Sequence, residues 1–294
     1  MEMNQGALQP SQEPPEKRNR SIGALLVESQ RLSAADAEAV MRYAGEKGLR
    51  FGDAAIELGL VTRAEVQHAL ALQFDYPYLA TGDESISPEV IAAYAPFSKP
   101  VEALRAIRTR LMLSWFEGNP RRKMLAVVSP GRGDGRSYFA ANLAVVCSQL
   151  DARTLLIDAD LRSPRQHEIF RLPGSPGLSE LLARRSEENV IHRINGLVGL
   201  SVLPAGAPPP NPQELLTRPT FGALLAELGR QYDAIVLDTP AGELGADLQS
   251  VAAAAGGALV VTRRNVTRAS QARAVAESVS ATGARAIGVV LNEH

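Results

Sequence analysis

The feature that most constrains the fold lies at residues 124–150. An apolar run, Met124–Val128, leads into Ser129-Pro-Gly-Arg-Gly-Asp-Gly-Arg-Ser137, and then into the helical stretch YFAANLAVVCSQL. Strand, Gly-rich turn and helix in immediate succession is the context of a phosphate-binding loop. Glycines let backbone N–H groups curl round a phosphate, and the helix N-terminus adds its partial positive charge. Ser137 falls at the hydroxyl position that ligates Mg²⁺ in such loops. Arg136 stands where they carry lysine. Arginine keeps the charge, but its planar fork differs in bulk and reach, so binding could survive while catalysis weakens. Taken alone, a Gly-rich turn also reads as an ordinary loop.

Two acid-ended strands argue against that plain reading. Leu155-Leu-Ile-Asp158-Ala-Asp160-Leu-Arg162 is an apolar run closing on acids at i and i+2. In an extended backbone that spacing points both carboxylates to one side. Ile235-Val-Leu-Asp238-Thr-Pro240 is a second apolar run ending in an acid. A single such aspartate is often a helix cap. Acids at strand ends beside a phosphate loop are where metal-assisted phosphoryl transfer needs them. Further apolar β-rich runs cover 200–203, 258–261 and 287–291, and amphipathic helical stretches cover 137–150, 212–230 and 267–282. Strands buried on both faces and alternating with helices predict an α/β fold with a mostly parallel, doubly wound sheet.

The first third differs in composition. Residues 1–96 carry 8 basic and 14 acidic side chains, and residues 97–294 carry 23 and 18. The mild basic excess of the second part suits a phosphate ligand better than a nucleic acid, which needs a denser patch. Residues 1–20 are polar and Pro-rich and read as a disordered lead-in. From Ser21 to Gln73 the chain repeats itself: Ser21–Ala44 aligns without gaps with Arg50–Gln73 after five spacer residues. Each copy reads as a short helix, a turn and a second helix. Ser33 and Thr62 stand as N-caps with Asp36 and Glu65 three residues on, a capping-box pattern. By pattern alone, a small structural bundle explains this duplication as well as any binding role. Residues 80–96, rich in turn formers, read as a linker, which divides the chain into 1–20, 21–79, 80–96 and 97–294. The lone Cys147 forms no intrachain disulfide and predicts a reducing compartment. The run Val251–Thr262 is far too short for a membrane span, and the N-terminus has charges and prolines where a signal peptide needs an apolar stretch.

With those motifs in hand, residues 97–294 resemble bacterial tyrosine kinases of the polysaccharide-assembly type, relatives of the MinD/ParA P-loop ATPases. The likeness rests on the loop at 129–137, Asp158-x-Asp160-x-Arg162, Asp238, and the stretches DLRSPRQHEIF and GAPPPNPQELL. It rests also on Glu102-x-x-Arg105-x-x-Arg108, the pattern by which such kinases pack into rings. At i, i+3 and i+6 those three side chains share one helix face. The combination is similar to the EpsG-type chain-length-determinant kinases, which also tend to carry arginine in the loop. The resemblance implies ATP and Mg²⁺ as cofactors, held by Gly131, Gly133, Asp134, Gly135, Arg136, Ser137 and Tyr138, with Asn292 near the adenine. It implies Ser137, Asp160 and Asp238 as metal ligands, Asp158 as base for a tyrosine hydroxyl, and Asp160 and Arg136 in support. It also implies a ring of copies and a membrane-bound chain-length regulator, and so a cytoplasmic subunit peripheral to the inner membrane through that partner. Such kinases usually end in a tyrosine cluster. Here the last tyrosine is Tyr232, so no tail autophosphorylation in trans is expected, and Tyr76 and Tyr78 are the accessible-looking pair.

The repeat, with FDYPYL after it, resembles the N-terminal domain of type II secretion and type IV pilus ATPases. One subgroup of these binds cyclic di-GMP through two 24-residue motifs five residues apart. The second copy keeps Arg50, Gly52, Gly59 and Gln73; the first has Ser21, Gln30 and Ala44 where the motif has Arg, Gly and Gln. Two other readings stand beside the kinase. One is a catalytically weak nucleotide-dependent switch. The other is a MinD/ParA-like spatial regulator, which would carry an early loop lysine at Gly131 and a C-terminal amphipathic helix.

Overall fold

The computed structural model describes residues 21–73, 78–79, 82–116, 122–150, 152–185 and 190–293. The chain divides into two compact units, Met1–Tyr76 and Pro77–His294. The expected lead-in, Phe74 and Tyr76 lie outside the described residues.

Among its described residues the first unit holds four helices: α1 (Ile22–Glu28), α2 (Ala34–Lys47), α3 (Phe51–Glu57) and α4 (Arg63–Gln73). They fall at the register of the repeat. The Ser33 hydroxyl accepts from the Asp36 N–H at 3.1 Å. Thr62 and Glu65 close a full capping box, each backbone N–H donating to the other's side chain (2.8 and 3.3 Å). Leu26, Val40, Ala54, Ala55, Val66 and Ala69 form the shared core. The glycine at the same place in each copy is a packing residue. A Cβ on Gly52 would lie 2.6 Å from Val66 Cγ1, and one on Gly23 would lie 3.0 Å from the Phe51 ring.

The second unit is built on one seven-stranded sheet. Its strands are β1 (Met124–Val128), β2 (Thr154–Asp158), β3 (His192–Arg193), β4 (Leu200–Leu203), β5 (Ala234–Asp238), β6 (Gly257–Arg263) and β7 (Arg285–Asn292). Their order is β3-β4-β2-β5-β1-β6-β7, parallel except for β3 against β4. The helices are α5 (Ile91–Tyr94), α6 (Lys99–Leu111), α7 (Arg136–Ser148), α8 (Gln166–Ile169), α9 (Leu178–Leu182), α10 (Pro212–Thr217), α11 (Pro219–Gln231), α12 (Asp247–Ala255) and α13 (Ala269–Ala281). Strand side chains alternate between two cores. Leu125, Val127, Leu156 and Val236 face one, and Ala126, Val128, Leu155 and Ile235 face the other. The doubly wound parallel sheet is therefore present. No helix among the described residues is long and apolar enough to cross a membrane.

Two local expectations change, and one short strand is added. The stretch 212–230 is two helices, because Pro219 pushes Arg218 to ψ +146° and breaks the run. The antiparallel strand β3 has two residues, too short to leave a period. The stretch 80–96 is not a free connection where it is described: Ile86, Val90, Ala92 and Ala93 are buried in the second unit's core. Asn142 of α7 fastens it. Its Oδ1 accepts from the Ala92 N–H at 2.9 Å, and its Nδ2 donates to the Glu89 carbonyl at 3.0 Å. The turn formers of this segment mask a few apolar side chains that find partners only in three dimensions.

Candidate nucleotide and metal site

From β1 the chain runs to β2 and β4 on one side, and it later crosses from β5 past β1 to β6 and β7 on the other, so the strand order reverses around β1. In doubly wound sheets, ligands bind in the crevice that opens at the carboxyl ends of such strands. A cleft of about 630 Å³ lies there, walled by residues 132–138, Asp160, Ser163, Arg165, Glu89, Ile91, Leu244 and Asn292. The loop takes its shape from Gly133 (φ +78°) and Gly135 (φ +89°), in the left-handed region that glycine tolerates. A Cβ on Gly135 would sit 2.0 Å from Asn292 Nδ2, a nitrogen that donates to the Asp134 carbonyl at 3.2 Å. The last residue of β7 therefore props the loop.

Asp134 is buried and acts as a staple. Its Oδ2 accepts from the Gly131 N–H (2.8 Å) and its Oδ1 from the Thr267 hydroxyl (2.6 Å). The Arg132 N–H donates to Glu243 Oε1 at 2.9 Å, while its guanidinium donates to the Ser163 hydroxyl. Sequence reasoning missed Glu89, Glu243 and Thr267. They come from separate segments, and no local motif marks them.

At the base of the cleft, Arg136 turns inward with its side chain 10% exposed. Its Nε donates to Asp238 Oδ1 (3.1 Å), Nη1 to the Ser129 hydroxyl (3.0 Å) and Nη2 to Asp160 Oδ2 (3.0 Å). The other oxygen of Asp238 accepts from Gln166 Nε2 at 2.8 Å. Burial raises the proton affinity of the Asp238 carboxyl above the ordinary carboxylate value. Arg136, the Ser137 hydroxyl and Gln166 offset part of that shift.

Asp158 and Asp238 lie side by side in register at the ends of β2 and β5. Asp158, expected as the base, lies behind the cleft wall rather than on it. It is fully buried, its Oδ1 accepts from the Asp160 N–H (3.1 Å), and its Oδ2 accepts from the N–H groups of Arg165 (3.0 Å) and Gln166 (2.9 Å). Burial first, and then repulsion from Asp238, hold its proton affinity well above the usual carboxylate range. Asp160 is the member of the pair that lines the cleft.

The donors fit Mg²⁺. Ser137, Asp160 and Asp238 offer hard oxygen ligands, and Mg²⁺ is typically held by one or two carboxylates with phosphate oxygens and water. Among the described residues no cluster of three or more His, Cys, Asp or Glu could hold a metal by itself. Phosphate oxygens would complete the shell.

The remaining predicted residues scatter. Glu102 and Arg105 pair with each other on α6, whereas Arg108 is buried, with Nη1 donating to the Val146 carbonyl at 2.8 Å. The three do not form one outward face. In the first unit Gln73 lines a groove with Gly23 and Phe51, while Arg50 is exposed outside that lining and Gly52 is buried. Tyr78 is half-buried, and burial raises its phenol's proton affinity, so it is not the accessible tyrosine the sequence suggested. Tyr138 borders the cleft. Cys147 is a core residue whose thiol burial pushes up to about 12.

No protein-family profile matches the chain. It is 34% identical over 203 residues to the tyrosine-protein kinase YwqD of Bacillus subtilis, covering 69% of this chain and 85% of that one. It is 33% identical over 204 residues to the tyrosine-protein kinase Wzc of Salmonella typhimurium, covering 69% of this chain but only 28% of Wzc. The solved kinase domain of the Escherichia coli tyrosine kinase Etk superposes with a TM-score of 0.66 at 32% identity, over 69% of this chain and 79% of that one. The cell-division ATPase MinD of Pyrococcus furiosus, at 24% identity and a TM-score of 0.52, shares the fold alone. An arginine-bearing phosphate loop backed by three strand-end acids, together with these likenesses, places the chain in the family of bacterial tyrosine-protein kinases.

Proposed function

We propose that this chain transfers the γ-phosphoryl group of ATP to a protein tyrosine hydroxyl in exopolysaccharide assembly. One observation carries the reading: Ser137 and Asp160 line a cleft rimmed by a loop with left-handed Gly133 and Gly135, and Asp238 is buried directly behind them, bonded to Ser137 and Arg136. The loop N–H groups and the start of α7 would bind the β- and γ-phosphates. Mg²⁺, when bound, neutralises charge on the phosphoryl oxygens. Asp160, at the cleft wall, is assigned the contact with metal or with the entering hydroxyl. Asp158 positions the turn that carries Arg165 and Gln166.

The partner proposed is a membrane-bound chain-length regulator, which would bring the chain to the inner surface of the membrane. Its support is that the matched part fills most of YwqD yet only 28% of the longer Wzc, so the family uses this unit both nearly alone and joined to other sequence. Assembly of copies through Glu102 and Arg105 of α6 belongs to the same proposal, with Arg108 an internal tether. For the first unit, its secretion-ATPase likeness and cyclic di-GMP binding rest on the motif spacing alone. Titration of the full chain beside Arg50→Ala decides the ligand, and absence of saturable binding leaves a helical docking module.

The test is incubation of the full chain with γ-labelled ATP and Mg²⁺, beside Asp160→Asn and Asp158→Asn. Label on tyrosine in the wild type, lost in Asp160→Asn, is the expected result. Nucleotide binding with no transfer overturns the kinase in favour of the switch, the reading favoured by the grip of Arg136 on both acids.

A further inference from the structure

The fork of Arg136 spans three acceptors that belong to three segments: Ser129 after β1, Asp160 after β2 and Asp238 at the end of β5. Each of its nitrogens has its own partner, a geometry that a single ammonium cannot reproduce. Two of the acceptors, Asp160 Oδ2 and Asp238 Oδ1, belong to the carboxylates a divalent cation would take. Gln166 occupies the second oxygen of Asp238, and the N–H groups of Arg162 and Ser163 occupy the second oxygen of Asp160. Arginine and cation therefore compete for the same pair of oxygens. A cation entering beside a seated guanidinium would also meet a like charge in a buried setting. Phosphate offers the guanidinium an alternative partner, since its oxygens accept from an arginine fork two at a time.

We propose that Arg136 is a positioning residue that makes cation binding conditional on nucleotide, because its guanidinium holds Asp160 and Asp238 until phosphate draws it away. This rests on the nucleotide reading of the cleft. Nucleotide enters first, Arg136 turns to the phosphates, and the freed carboxylates accept the metal. A chain with the usual lysine keeps the charge but lacks the fork, and takes the cation in either order. The substitution at this position thus sets the order of binding.

The experiment titrates Mn²⁺ into nucleotide-stripped full-length protein and follows free Mn²⁺ by its paramagnetic resonance signal, with and without excess ADP. Arg136→Lys conserves charge, so a change reports the fork. Without ADP, Arg136→Lys should bind Mn²⁺ about tenfold or more tightly than wild type, the worth of one charge-assisted hydrogen bond. ADP should tighten Mn²⁺ binding in wild type by a larger factor than in the variant. Equal nucleotide-free affinities overturn the proposal. Should Arg136→Lys fail to fold, Ser129→Ala removes the acceptor of Nη1, together with the hydroxyl's bond to the Gly131 carbonyl, and leaves the guanidinium and both acids in place. It should raise nucleotide-free Mn²⁺ affinity a few-fold, and an unchanged affinity overturns the proposal just as well. Tyrosine labelling with equal Mn²⁺ affinities would sink this inference and leave the kinase standing. Failure to bind nucleotide would sink the kinase, while the nucleotide-free comparison still decides whether Arg136 guards the acids.

Discussion

Gly135 combines a left-handed φ with a neighbour, Asn292 Nδ2, at the place a Cβ would occupy. Alanine there would strain the backbone and push β7 away from the loop. Gly135→Ala should destabilise the chain by about 1–3 kcal/mol and abolish fluorescent-nucleotide binding; retained binding would show that the prop is dispensable. Asp158 meets three backbone N–H groups with no exposure to water. An asparagine can accept through one oxygen only and presents its own N–H groups to those donors. Asp158→Asn is expected to lower stability by about 1–3 kcal/mol, read by denaturant unfolding. An unchanged midpoint would return Asp158 to a chemical rather than a positioning role.

At the scale of elements, short helices depend on single polar anchors. Glu180 on α9 gathers the Gly177 and Ala207 N–H groups and the Ser175 hydroxyl, and so holds the 206–211 loop. Burial alone would raise its proton affinity, but the N–H groups of Ala207 and Gly177 outweigh it and bring the carboxyl to about 2 from 4.5. The folded value is the lower one, so this contribution to stability is full above about pH 4.5 and is lost as pH falls towards 2. Glu180→Gln should flatten the pH dependence of unfolding in that window; an identical acid profile would refute the anchor. In the helical unit, Gly52→Ala forces a methyl into Val66. Overpacking of this kind costs about 1–3 kcal/mol, and hydrogen exchange of α3 and α4 in the full chain would report it as lost protection.

At the scale of the whole molecule, the segment from Ile86 to Tyr94 is a wall of the cleft as well as part of the core. Asn142 joins it to the helix that begins at the phosphate loop. Asn142→Leu should leave the Ala92 N–H and Glu89 carbonyl without their partner, release exchange protection at 89–95, and weaken nucleotide binding about tenfold, an expectation scaled on one lost buried hydrogen bond. Unchanged nucleotide affinity would separate the wall from the site. Much of the site was legible in one dimension. Loop, helix and acid-ended strands are local patterns, because a glycine turn, an apolar run and its terminal acid each obey rules that span a few residues. The duplicated helices and their caps were legible for the same reason. What only the tertiary structure decided is which of those groups meet. It seated Arg136 across Asp160 and Asp238, withdrew Asp158 behind them and buried Arg108. It also brought Glu89 to the cleft and set Glu243 and Thr267 against its loop from far along the chain. The physical reason is that hydrogen bonding and burial depend on distance in space, which a sequence pattern carries only over a strand or a turn of helix.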